Sequence, residues 1–129
     1  MKFYVATKLE NFSEAQRVIK LLTDLGHTVT YDWTVHGSVY RDGLTRVREV
    51  AHLEAKGVRD ADVVIVILTG GRGTHVELGM AVAYGASVIL YGTEAHFAIG
   101  PEACAFYHLD CVRHVTNDAE LLAMLGIKR

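Results

Sequence analysis

The sequence predicts an α/β fold: one doubly wound, parallel, five-stranded sheet of order 2-1-3-4-5, forming a single domain over residues 1–129. Three observations predict it. Strand patterns alternate with helical patterns along the chain, which calls for parallel strands joined by helical crossovers. The run Asp62–Leu68 is almost entirely apolar, the mark of a strand covered on both faces. Half of the chain is hydrophobic and 22% is charged, a mix that supports a packed core and argues against disorder.

The elements follow in order. Lys2–Ala6 is a first strand. Asn11–Leu25 is a helix, because Ala15, Val18, Ile19, Leu22 and Leu25 recur at helical spacing. Asn11 or Ser13 can cap its start, and Gly26 stops it. His27–Tyr31 is a second strand, and Asp32–Arg41 a polar and aromatic loop. A second helix is expected over about Asp42–Val58, then the buried strand, then a glycine-rich turn over Thr69–Gly73. Thr74–Tyr84 reads as the third helix and Ser87–Tyr91 as the fourth strand. Thr93–Cys104 is a loop with the chain's one proline, and Tyr107–Val115 contains the last strand. Asn117–Leu125 closes as a short helix, with Asn117 and Glu120 spaced as a capping box.

In such a sheet a ligand crevice lies beyond the carboxyl ends of the strands, where the strand order reverses. Here that is between the first and third strands, flanked by Thr7–Asn11 and Thr69–Thr74. Gly70, Gly71 and Gly73 allow close backbone approach. The loop feeds a helix N-terminus, which attracts anions, and Arg72 adds a cationic fork. The spacing is neither a P-loop nor a dinucleotide fingerprint. Two readings are open for Glu77. Thr74-x-x-Glu77 has capping-box spacing, so the carboxylate can fold back on Thr74. Alternatively it lies in the helix's first turn facing the crevice, where the dipole keeps it ionised for nucleophilic attack. Glu54 is the second anomaly, because it falls on the apolar stripe Leu44, Val47, Val50, Ala51 and Val58. Either it reaches a solvated edge, or it is an inward charge with a purpose. Paired inward carboxylates suit glycosidic chemistry: one attacks the anomeric carbon and the other handles protons.

At these residues the chain resembles the nucleoside 2-deoxyribosyltransferase superfamily, including the 2′-deoxynucleoside 5′-monophosphate N-hydrolases. The resemblance runs through Phe3-Tyr4-Val5-Ala6, Ala61-Asp62-Val63-Val64-Ile65-Val66 and Gly73-Thr74-His75-Val76-Glu77-Leu78-Gly79-Met80-Ala81. It implies a flavodoxin-like (Rossmann-like) sheet, Glu77 at the position of the nucleophile, and Tyr4 as a first-strand tyrosine near it. It places Glu54 where an aspartate is usual, and it implies homodimers or larger homo-oligomers. The stretch Ile67–Gly71 lacks the family's further acidic residue, and Arg72 stands in for a phosphate-binding serine.

The remaining candidates are binding residues. Ala6, Thr7 and Lys8 end the first strand, where they can touch sugar or phosphate. Gly71, Arg72, Gly73 and Thr74 form the anion-binding turn, and Trp33 offers a flat face to a base. His36 and His96 can serve as pocket walls. No metal or nucleophilic-serine spacing is present, and no cofactor is expected. A net charge of −2 argues against a nucleic-acid polymer as partner and favours a small nucleoside or nucleotide. Cys104 and Cys111 read as reduced thiols. The start runs straight from Met1 into a strand, and no apolar run approaches bilayer length, so a cytoplasmic location and no membrane partner are expected. The leading expectation is cleavage or exchange of an N-glycosidic bond through a glycosyl–Glu77 intermediate. The alternatives are a non-catalytic nucleotide-binding or sensing domain and a hydrolase of the N-ribosyl bond of NAD.

Overall fold

Alternation along the first strand sets the layers of the molecule. The computed structural model describes residues 1–101 and 103–126; Glu102, in the 93–104 loop, and residues 127–129, at the end of the expected domain, lie outside them. Strand β1 (Lys2–Ala6) has Phe3, Tyr4, Val5 and Ala6 all buried, with successive side chains pointing to opposite faces. Helix α1 (Phe12–Asp24) covers one face through Ala15, Val18, Ile19 and Leu22. It ends in a Schellman turn: Gly26, at φ 88°, donates to Thr23 and His27 donates to Leu22. Asn11 stands at the helix start, but its side chain makes no capping bond there.

The edge strand β2 keeps only Thr28–Val29 of the expected His27–Tyr31, since just Lys2 and Phe3 pair with it. A 3-10 turn, Trp33–Val35, follows, with Asp32 capping Thr34. Helix α2 (Leu44–Asp60) then runs to the central strand β3 (Val63–Ile67), whose five residues are all buried. Helix α3 (Arg72–Tyr84) begins two residues earlier than the sequence suggests. Its true cap is Gly71, and Thr74 Oγ1, at the third helical position, accepts from the Gly71 N–H at 3.0 Å. Glycine has no side chain to reciprocate, so only half a capping box forms. Strand β4 (Ser87–Tyr91), the single-turn helix α4 (Glu94–Phe97), a 3-10 turn at Ala105–His108, strand β5 (Val112–Val115) and helix α5 (Asp118–Met124) complete the chain. Asn117 caps α5 through Glu120 N, while the Glu120 carboxylate reaches one residue further back, to Thr116 N at 2.8 Å.

All strand pairs are parallel and the order is β2-β1-β3-β4-β5. Right-handed crossovers put α2 and α3 together on one face. On the other, Arg17 of α1 pairs with Asp118 of α5 at 2.7 Å. Among the described residues no helix is long and apolar enough to cross a membrane.

Candidate active site

The switch-point crevice is an open cleft of about 590 Å³ at the carboxyl ends of β1 and β3. Its floor is Tyr4, its two sides are α2 and the start of α3, and residues 37–40 form a further wall. Of the residues singled out in the sequence, Tyr4, Thr7, Lys8, Trp33, Glu54, Gly71, Arg72, Gly73, Thr74 and Glu77 all line it. Ala6 does not: it is wholly buried in β1 and stands behind the lining.

Glu77 is the sixth residue of α3, so it sits in the second turn rather than the first. It does not fold back on Thr74, whose hydroxyl is taken by Gly71. The carboxylate points instead into the cleft and accepts a short hydrogen bond from the Tyr4 hydroxyl. The expected first-turn position is thereby corrected to the second turn, where the dipole's influence has faded and burial dominates. Desolvation, helped by the charge of Glu54 and opposed by the Tyr4 bond, pushes the Glu77 carboxyl up to about 8. At neutral pH it mostly holds a proton. Tyr4 is driven far above its ordinary value by burial, then by Glu77 and Glu54, so it acts only as a donor.

Glu54 reaches the same cleft, although it lies ten residues into α2, or ~15 Å from its start. Gly57 lies one turn further on. A Cβ there would sit 2.9 Å from the Tyr31 Cβ and 3.0 Å from the Tyr4 ring. With only hydrogen at that position, α2 lies directly on Tyr4 beside the Glu77 carboxylate. Burial raises Glu54 as well, with His36 opposing. His36 itself is bound by the Tyr31 hydroxyl at 2.6 Å and the Gly37 carbonyl at 2.8 Å.

Other side chains hold the frame. Thr7 Oγ1 donates to Ile67 O at 2.7 Å, which ties β1 to the end of β3. Asn11 Nδ2 donates to Thr7 Oγ1 and to Thr69 O, joining the two loops of the crevice. Trp33 is buried and its indole N–H donates to Val5 O at 2.8 Å, so it is fixed as a wall at the core's edge. His75 is held between Gly71 O and the Tyr107 hydroxyl, each at 2.7 Å, and braces the glycine turn from behind. Inspection of the sequence missed Gly57, the brace of His75, and the wall of Ser38, Val39 and Tyr40. Gly57 did carry a signal, since a glycine within a helix costs about 1 kcal/mol against alanine and asks for a reason.

The fold has known counterparts. The structure matches the CMP N-glycosidase BcmB of Clostridium botulinum with a TM-score of 0.63 and 17% identity, covering 98% of this chain and 100% of the other. It also matches a 2-deoxyribosyltransferase of Bacillus psychrosaccharolyticus with a TM-score of 0.71 and 21% identity, covering 99% and 98%. At those identities the likeness speaks for the architecture. No curated protein sequence matches significantly. The sequence does match the nucleoside 2-deoxyribosyltransferase family over residues 3–122, nearly its whole length. The chain therefore belongs to the nucleoside 2-deoxyribosyltransferase family, whose enzymes act at the N-glycosidic bond of nucleosides.

Proposed function

We propose that this protein cleaves or exchanges the N-glycosidic bond of a nucleoside or nucleoside monophosphate through a glycosyl ester on Glu77. The observation that carries the reading is the Tyr4 hydroxyl bound to the Glu77 carboxylate within a cleft that Glu54 also lines. Two partly buried carboxyls side by side do not both ionise cheaply, so the pair works with one shared proton. When substrate enters, that proton resides on Glu54 and Glu77 is the anion. Glu77 attacks C1′, the C1′–N bond breaks, and its electron pair leaves with the base, which takes the Glu54 proton. Water or a second base then attacks C1′, Glu54 takes the incoming proton, and the ester C–O bond breaks to restore Glu77. Both steps pass through an oxocarbenium-like state, which the carboxylates stabilise electrostatically.

Binding roles follow from position. Lys8, Arg72 and the backbone of Gly71, Gly73 and Thr74 face an anionic or hydroxyl-bearing end of the substrate. Thr7 fixes the strand end, and Trp33 is a rigid wall for the base or sugar.

The test is release of free base. Glu77→Gln is expected to lose at least ~10²-fold in rate while remaining folded. Wild-type turnover by that variant removes the assignment. An added acceptor base separates transfer, which yields a new nucleoside, from hydrolysis, which yields the free sugar.

A homodimer belongs to the same reading. Val76 and Phe106 are exposed and line an open, largely apolar groove of about 800 Å³ on the outer side of α3, with Leu78 and Gly79. Apolar surface of that kind favours a protein partner. Light scattering is expected to give twice the chain mass or a larger multiple of it, and a monomer at micromolar concentration overturns it.

A further inference from the structure

The carboxylate pair depends on how closely one helix lies on the sheet. Glu54 is far from either end of α2, so its place in the cleft is fixed by the depth of the helix body rather than by a cap. Two observations set that depth. Gly57 is buried against β1, with no room for a Cβ between it, Tyr31 and Tyr4. The Gly57 carbonyl is one of the last four in α2, which lack an intrahelical amide, and it accepts from Thr30 Oγ1 at 2.7 Å. That same hydroxyl lies 3.2 Å from Phe3 O, on the strand that carries Tyr4. Thr30 thus fastens the helix to β1 at the residue where it comes nearest.

We propose that Gly57 and Thr30 are positioning residues for the glycosidic reaction: they seat α2 on Tyr4 and thereby set the approach of Glu54 to Glu77. The inference rests on the reading of Glu77 and Glu54 as the acting pair. The sequence logic agrees with it. Glycine lowers helix stability, and at this position an alanine would otherwise be preferred. The close approach supplies the reason for keeping it.

Gly57→Ala places a methyl 2.9 Å from the Tyr31 Cβ and 3.0 Å from the Tyr4 ring, so the helix must move outward. Glu54 then recedes and water enters beside Glu77. The groups facing Glu77 are Tyr4 from β1 and Glu54 from α2. Lys8, Glu10 and Arg72 line the rest of the cleft. Loss of burial and of the Glu54 charge both lower the Glu77 carboxyl toward its ordinary range. A displacement of about an ångström in a reacting group costs up to ~10²-fold in rate.

The experiment compares wild type, Gly57→Ala, Thr30→Val and Glu77→Gln. It reads steady-state release of base and the titration of the Glu77 carboxyl carbon by NMR on protein labelled with ¹³C-glutamate. Gly57→Ala is expected to melt cooperatively, to lose about 10- to 10²-fold in kcat with KM changed far less, and to titrate at lower pH. Thr30→Val, which removes the fastening and keeps the shape, is expected to shift kcat and the titration the same way by a smaller amount, on the order of 3-fold in kcat. If Glu77→Gln stays active, the catalytic reading itself fails. If Glu77→Gln is inactive but Thr30→Val and a folded Gly57→Ala match wild type in kcat and titration, this inference alone is overturned. Should Gly57→Ala not fold, Thr30→Val decides: an unchanged titration and kcat reject the proposal, and a downward shift in both supports it.

Discussion

Glu77 and Tyr4 are held by one hydrogen bond, and the rate should report its strength. In the shared-proton mechanism the active form carries one proton on the carboxylate pair. Activity therefore falls as the last proton is lost, which places the basic limb of kcat/KM near Glu77's value of about 8. The acid limb, where the second proton is gained, follows Glu54 and lies above the ordinary carboxylate range because of burial. Tyr4→Phe removes the donor that favours the Glu77 anion. It is expected to move the basic limb to higher pH and to cost roughly 10-fold or more in rate, the scale of a hydrogen bond to a charged group. A profile that only rises through pH 8 would deny Glu54 its proton role and leave Glu77 a simple nucleophile. At this scale the sequence singled out Tyr4, Glu54 and Glu77, which the fold brings to one cleft, but gave no sign of their protonation. Thr74-x-x-Glu77 spacing was compatible with a self-satisfied cap. Only the turn of helix before it, which began at Arg72 and used Thr74 for Gly71, left the glutamate free to face Tyr4.

Helices and strands were legible wherever periodicity and stop signals agreed. The stretch Ser87–Tyr91 forms β4 with the expected limits, and Gly26 closes α1 as a Schellman turn. Departures arise where tertiary pairing overrides local pattern. The β-branched stretch at 27–31 is short as a strand because β1 offers it only Lys2 and Phe3 as partners. Past Val29 the chain turns toward α2, with the Thr30 N–H donating to Phe3 O and its hydroxyl to Gly57 O. The glycine-rich turn lost two residues to α3, since Arg72 and Gly73 continue into the helix once Gly71 caps it. The position of Glu54 on the apolar stripe was plain, but periodicity could not give how closely α2 lies on Tyr4 at Gly57.

For the molecule as a whole, a carboxyl that is raised by burial couples stability to pH. Glu77 goes from an ordinary value of 4.5 in the unfolded chain to about 8 when folded. The folded state therefore holds a proton that the unfolded state gives up. The stabilisation is complete below about pH 4.5 and is lost progressively as pH rises through about 8. Glu77→Gln lacks this loss. It is expected to melt close to wild type near pH 4.5 and to become the more stable protein by pH 9, by on the order of 1–3 kcal/mol. Thermal melts across that range check it, and a gap that does not widen with pH contradicts the buried placement. The sheet order and the location of the crevice followed from the alternation of elements alone, because the switch point is a property of topology. The family assignment added the bond that is broken.

Asn11 has a consequence for how such a protein diversifies. Its amide joins the loop after β1 to the loop after β3, so the parts that carry Lys8 and the glycine turn are tied together. The opposing stretch hangs between Gly37 and Gly43, both at positive φ, and presents Ser38 and Tyr40 outward. One wall of the cleft is thus a short segment that carries none of Tyr4, Glu54 or Glu77, and exchanging it would reshape the space beside them while leaving Lys8 and the glycine turn in place.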